Sequence, residues 1–371
     1  MSNEQIENIV NDSDKYKDYL LKLMIDNNSS DMYLTLDEKP SLRIDNHIYR
    51  IQQLPEFGYD QLQEIAYMFL SDEEWETFRE TLTYDLGWSY EWRRFRINIS
   101  KQQKSIMIVV RLLWEKVPTI DDMWLPQVFK EFVNKSSGIV LVAWPTWSGK
   151  STTLASMIEE VNQNHSKHII TIEDPVEYVF NPKKSIIEQK QLWTDVLSFS
   201  WALKSALRQR PDVILFGEMR DLESIQNAIT LAETGHLVIS TIHSKSSAQT
   251  ITKIIDSFSS DQQNQVRLQL SETLLSVISQ RLLKKKDKKW VVACHEIMIN
   301  DTAISNLIRE NQINQINNVI QTSAWSWMKL LEESLIELIE KWEVSIDDAL
   351  AIANKPDYIK NEIESRWMIL E

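Results

Sequence analysis

Four short apolar runs, each closed at once by polar residues, constrain this chain more than any other feature of it. They are Gly138–Ala143, His168–Ile172, Asp212–Phe216 and His236–Ile242. Amphipathic stretches separate them, so the periodicity predicts a parallel sheet with crossover helices. The residues that follow each run have no use in a core. They are Ser148, Gly149, Lys150 and Ser151 after the first run, and Glu173, Asp174 and Glu177 after the second. Glu218, Arg220 and Asp221 follow the third, and His243 the fourth. Open α/β sheets bind ligands beyond the carboxyl ends of their strands, so clusters in these places predict one shared site.

The flanking sequence reads differently. From the start to residue 112 a helical stretch, Glu4–Met24, precedes alternating segments such as Met32–Leu36, Ser41–Ile44 and Phe95–Ile99, which predicts a small α+β domain. The pattern breaks around Trp114 and Pro118, giving a linker over 113–120 and an α/β domain with C-terminal helices over 121–371. Beyond Asp261, apolar residues three and four apart predict helices over Gln265–Leu283, Ala303–Arg309, Met328–Trp342 and Ile346–Ala353.

Charge and cysteine usage remove whole classes of function. The chain holds 40 Lys and Arg against 54 Asp and Glu in 371 residues, a net charge of −14, which opposes a general grip on nucleic acid or anionic lipid. The expected partners are therefore proteins and small ligands. One cysteine, Cys294, permits neither an internal disulfide nor a Cys-rich zinc site. The longest purely apolar stretch, Ile139–Trp144, is too short to span a bilayer, and the acidic opening residues do not suit a signal peptide. These features lead us to expect a cytoplasmic protein without a transmembrane segment.

The first polar cluster carries the most specific chemistry. Trp144-Pro145-Thr146-Trp147-Ser148-Gly149-Lys150-Ser151-Thr152 follows an apolar strand and opens a helix, the context of a phosphate-binding loop. In such a loop backbone N–H groups wrap the phosphates, Lys150 reaches the β- and γ-phosphates, and Ser151 ligates Mg²⁺. The expected cofactors are thus ATP and Mg²⁺. Trp144 and Trp147, however, stand where glycine is needed for positive φ or close approach, and an indole has room for neither. Glu173, Asp174 and Glu177 crowd carboxylates whose repulsion suits only the neighbourhood of a cation or an arginine.

Further motifs carry a family likeness. Thr171–Glu177, Leu215–Asp221, Ala232–His243, Gln262–Arg267 and Ala303–Glu310 resemble, in order, the characteristic segments of the PilT-like type IV pilus retraction ATPases. These segments include an Asp box, a Walker B strand, a His box and a C-terminal retraction motif. The resemblance spans about Ser30 to Ala353. It implies a RecA-like P-loop ATPase domain preceded by a PAS-like domain, assembled as a homohexamer. It also implies a position at the inner face of the cytoplasmic membrane, against an inner-membrane pilus platform protein.

Roles follow from the same resemblance. Glu218 matches the Walker B glutamate; Glu177 shares with it the activation of water; His243 is a γ-phosphate sensor, with His236 the other His-box residue. Glu173 and Asp174 belong with the metal. Arg94, Arg96 and Arg111 of the first domain, and Arg208 and Arg210, are candidates for the arginine that meets the γ-phosphate, with Arg96 and Arg111 preferred. Ser305 stands where the retraction motif usually has arginine, which keeps an accessory relative open. The extension and type II secretion ATPases are the neighbouring alternative, although a tetracysteine zinc site typical of them cannot form here.

The likeness also accounts for the composition. Six glycines and 14 tryptophans invert the usual balance. The family pattern has glycine at Trp114, Trp124, Trp144, Trp147, Trp193, Trp327 and Trp342, and more loosely at Trp92 and Trp325. This leads us to expect a gene that uses UGA for glycine, written here as tryptophan. Trp75, Trp88, Trp201, Trp290 and Trp367 are undecided by that comparison. The competing reading is a catalytically inactive paralogue that co-assembles with an active motor.

Overall fold

The computed structural model describes residues 8–44, 47–103, 105–113, 116–143, 149–287, 291–323 and 327–367. Trp114, Trp290, Trp325 and the loop residues Trp144, Pro145, Thr146, Trp147 and Ser148 lie outside the described residues, and at 366 and 367 only the backbone is described. The chain divides into two compact units, Met1–Lys116 with Pro175–Val179, and Val117–Asp174 with Phe180–Glu371.

The first unit is built on a six-stranded antiparallel sheet of β1 (Asp31–Thr35), β2 (Ser41–Ile44), β3 (His47–Arg50), β4 (Thr83–Tyr90), β5 (Arg93–Gln102) and β6 (Ser105–Leu112). Its order is β3-β2-β1-β6-β5-β4. Alternation along β5 and β6 buries Phe95, Ile97, Ile99, Ile108 and Val110 on one face. Leu20, Leu21 and Met24 of helix Ser13–Asp26 and Leu62 and Ile65 of helix Tyr59–Phe69 join the same core. The expected helix over 4–24 is interrupted: Asp12 caps a fresh helix by accepting from the Lys15 N–H.

The second unit is a seven-stranded sheet of β7 (Gly138–Ala143), β8 (His168–Glu173), β9 (Ile186–Gln191), β10 (Val213–Phe216), β11 (Leu237–Ile242), β12 (Leu274–Lys284) and β13 (Val291–Ile299). The order is β13-β12-β7-β11-β10-β8-β9, parallel throughout except for the antiparallel β12–β13 pair. Helices Lys150–Asn164, Phe199–Ala206, Leu222–Glu233 and Ser247–Asp256 make the crossovers. Each of β7, β10 and β11 is buried along its length, as apolar strands covered on both faces must be.

One sequence expectation fails. Gln265–Leu283 is not a single helix; it is a helix over Gln263–Thr273 followed by β12. The apolar residues Leu274, Val277, Ile278 and Leu282 satisfy helical spacing, but β12 lies inside the sheet with Ser276, Ser279 and Gln280 buried too. Parallel pairing to β7 captures it. Helices at Thr302–Arg309, Leu331–Glu340 and Ile346–Ile352 agree with the pattern read from the sequence.

Among the described residues four tryptophans occupy left-handed backbone: Trp124 (φ 53°), Trp193 (φ 67°), Trp327 (φ 68°) and Trp342 (φ 58°). Trp342 follows helix Leu331–Glu340. Its N–H donates to Ile339 O and that of Glu343 to Leu338 O, the paired bonds of a helix end that favours glycine at this place. Trp124 and Leu125 repeat the arrangement with Asp121 O and Ile120 O. The side chains of Trp124, Trp193, Trp327 and Trp342 are exposed, that of Trp124 to 91%. Trp75 and Trp88 differ: Trp75 packs on Tyr67 and Phe78, and Trp88 meets Phe69 edge-on at 5.3 Å.

A bulky residue in left-handed backbone costs about 1–2 kcal/mol. Replacing Trp124, Trp193, Trp327 or Trp342 by glycine therefore raises unfolding free energy by about 1 kcal/mol each in urea titrations. Trp88→Gly, which empties a packed site, lowers it by about 3 kcal/mol.

Candidate nucleotide site

Strand register puts the polar clusters on one edge of the second unit. Ala143 pairs with Ile242, and Phe216 with Ser240 and Ile172, so β7, β11, β10 and β8 end at nearly one level. Beyond β7 the chain re-enters the described residues at Gly149, whose φ of 74° favours a residue without a side chain. Gly149 opens helix Lys150–Asn164. Among the described residues no side chain caps this helix and its first turn holds no acid, an N-terminus suited to an anion. Lys150, Ser151 and Thr152 form its first turn; Thr152 O accepts from Ser156 Oγ.

The other strand ends hold a connected ionic chain. His243 Nε2 lies 2.9 Å from Glu218 Oε1, Arg220 Nε donates to Glu218 Oε2 at 2.7 Å, and Arg220 Nη1 lies 3.9 Å from Asp174. Backbone bonds lock the turn after β10: Gly217 N–H donates to Ile172 O and Met219 N–H to Thr241 O, each at 2.8 Å. Glu218 is largely buried, while His243 and Arg220 reach solvent. The carboxylates of Glu218 and Asp174 hold the Arg220 guanidinium even more firmly charged than usual, chiefly through the hydrogen bond to Glu218. A carboxylate between an imidazole and a guanidinium, beside a helix N-terminus, is suited to orienting water at a phosphoryl group.

Several residues singled out from the sequence stand elsewhere. His236 precedes β11, at the opposite edge of the sheet, where its Nδ1 lies 2.9 Å from Leu231 O and 3.2 Å from Thr234 Oγ1 at the end of helix Leu222–Glu233. Arg208 and Arg210 are exposed and precede β10, also away from Glu218 in the same chain. Glu173 is turned along the strands, accepting from Thr171 Oγ1 at 2.7 Å and from Gln189 Nε2. Glu177 belongs to the first unit, 3.9 Å from Arg96, which also lies 3.5 Å from Asp85. Arg111 donates to the buried Asp31 at 2.7 Å, and Arg94 to Ser89. The linking role of Arg220 was not visible from the sequence, because spacing does not reveal which neighbour a guanidinium turns towards.

Comparison with known proteins decides the family. Residues 117–351 match the family described as Type II/IV secretion system protein. The chain is 41% identical over 339 residues to the type IV pilus retractation ATPase PilT of Pseudomonas aeruginosa, covering 91% of this chain and 98% of that one. This chain belongs to the PilT family of type II/IV secretion ATPases. A twitching motility protein of Neisseria gonorrhoeae is 42% identical over 303 residues, 81% of each chain. The crystal structure of the pilus retraction motor PilT with bound ADP superposes with a TM-score of 0.86 and 39% identity, over 92% of this chain and 98% of that one. The PilT fold thus extends over both units, and no described helix is long and apolar enough to cross a membrane.

Behind the strand ends of this PilT-family sheet lies a buried polar core on β12 and β13. Glu296 accepts from the Ser247 N–H at 2.6 Å, yet burial raises its pKa. Burial pushes the Cys294 thiol up to about 12 and holds His295 down to about 4, with Lys329 adding to the latter. Neutral His295 fixes the sign of a stability change. The unfolded histidine takes a proton below about 6.5 and the folded one does not, so stability is whole above that pH and falls as pH drops towards 4. Between pH 6.5 and 5, urea unfolding of the unsubstituted chain loses about 1.5 kcal/mol more than that of His295→Gln.

Proposed function

We propose that this chain is an ATP-hydrolysing motor that powers pilus retraction. The observation that carries the reading is one sheet edge holding both the helix N-terminus with Gly149, Lys150 and Ser151 and the His243–Glu218–Arg220–Asp174 chain. Its PilT relatives, one of them bound to ADP, support the same function.

In this reading Lys150 binds the β- and γ-phosphates and Thr152 completes the cradle. Glu218, polarised between His243 and Arg220, orients the attacking water and accepts its proton, and His243 senses the γ-phosphate at the neighbouring strand end. Glu177, held by Arg96, is the second acidic group; Arg96 and Arg111 are the candidates for charge brought to the γ-phosphate from an adjacent subunit. The donor set fits a hard cation. Ser151, with Asp174 or Glu173 through coordinated water, would hold Mg²⁺, which supplies positive charge to the phosphate oxygens when bound. A homohexamer working on a membrane platform protein completes the proposal, with the motor at the cytoplasmic face of that membrane.

The loop requires glycine at 144 and 147. Four other tryptophans that the family pattern assigns to glycine stand in left-handed backbone, Trp342 at a helix end of the glycine type and Trp124 in a turn with the same paired bonds. A degenerate paralogue gives no reason for indoles to collect at such positions, whereas UGA read as glycine does. This favours an intact phosphate loop over the inactive alternative.

Lys150→Ala and Glu218→Gln each lower ATP turnover by about 100-fold or more while the folded content stays unchanged, measured by phosphate release and circular dichroism. Turnover by Glu218→Gln at the parent rate would remove Glu218 from the mechanism. Cells carrying Lys150→Ala keep surface pili that do not shorten; loss of the pili instead would point to an extension motor.

A further inference from the structure

Strand β12 carries a buried amide, Gln280, one residue beyond its last pair with β7, Ser279 with Ala143. It stands level with the point where the chain leaves β7 for the phosphate loop. Gln280 Oε1 accepts from Thr153 Oγ1 at 2.7 Å and lies 3.1 Å from Nε2 of His295, its cross-strand partner on β13. All three side chains are buried, Gln280 and Thr153 to 2% exposure.

The Thr153 hydroxyl donates to Oε1, which sets the orientation of this amide. His295 is kept neutral by burial, and Phe129 packs edge-on against its ring at 5.6 Å. With Nε2 carrying its hydrogen, imidazole and hydroxyl both donate to Oε1. The amide nitrogen is then turned to Gly149: a Cβ placed on that glycine would lie 3.2 Å from Nε2. Gly149 O and the Thr153 N–H make the first bond of the helix, at 3.1 Å. Gln280 therefore bonds Thr153 at one end of the helical turn that contains Lys150 and Ser151, and at the other its amide fills the space where a side chain on Gly149 would lie.

We propose that Gln280 is a positioning residue of the nucleotide site: braced by His295 and Thr153, it fixes Gly149 and the first helical turn, and so sets where Lys150 and Ser151 meet phosphate and metal. The inference rests on the nucleotide-site reading above. It predicts that a buried polar bracket, touching no substrate, controls phosphate binding, because loosening a site by about 1 Å costs on the order of 100-fold in rate.

The test uses the full chain, made with the residues its own cells place at 144 and 147, and Mg-ADP and Mg-ATP as probes. Gln280→Leu weakens Mg-ADP binding by about 10-fold and lowers kcat/KM for ATP at least as much, in protein shown to be folded. Thr153→Val acts in the same direction and Thr153→Ser, which keeps the hydroxyl, restores parent affinity. The double variant Gln280→Leu with Thr153→Val binds no more weakly than Gln280→Leu alone, since both cut one link. Parent-like binding by folded Gln280→Leu, or effects that multiply in the double variant, would overturn the proposal. If Gln280→Leu does not fold, the Thr153→Val and Thr153→Ser pair decides, and equal affinities in that pair overturn it. A parent chain that binds no Mg-ADP overturns the nucleotide-site reading and this inference together.

Discussion

Parallel backbone pairing across β7, β11, β10 and β8 is the constraint on which the remaining structure depends. It aligns Ala143 with Ile242, and Phe216 with Ser240 and Ile172. Each strand must therefore release its chain at one edge, and the first residue after each strand is forced into a common space. Glu218 and His243 come within 2.9 Å although a crossover helix separates them in sequence. The apolar residues of these strands do no chemistry, but their complete burial fixes the register and so the distances between the groups that do.

That edge has two kinds of support. On the β10 and β11 side, backbone bonds from Gly217 and Met219 hold the turn that presents Glu218. On the β12 side a buried polar bracket reaches from β13 through Gln280 to the helix after β7. A wholly apolar contact would suffice for packing. Buried polar groups must be satisfied or they cost stability, so their geometry is specified more narrowly than that of a leucine. The depressed basicity of His295 belongs to this arrangement, since the bracket needs an uncharged imidazole in a dry interior.

Much of this was legible in the sequence because period and punctuation carry it. Apolar runs ending in polar clusters gave four strands of the parallel sheet and the common location of Gly149, Lys150, Glu218 and His243. The sequence pointed to the wrong element where two periods coincide: Leu274, Val277, Ile278 and Leu282 suit a helix and a buried strand alike, and only pairing with β7 chooses. His236 and Arg210 stand away from the strand ends that hold Glu218 and His243 for another reason. Proximity to a strand in sequence does not tell which end of it a residue occupies, and both precede their strands. Gln280 could have been noticed as a polar residue inside an apolar run, but its partners on another strand and a helix could not.

The tryptophans join composition to conformation. Indoles at Trp124, Trp193, Trp327 and Trp342 are held in backbone suited to glycine, and the same substitution at 144 and 147 would obstruct the phosphate loop. The central claim, an ATPase with a working loop, is tested most directly by the mass of the peptide spanning residues 144–151 in protein purified from its own cells. The account predicts glycine at both 144 and 147. Tryptophan at either position would contradict it.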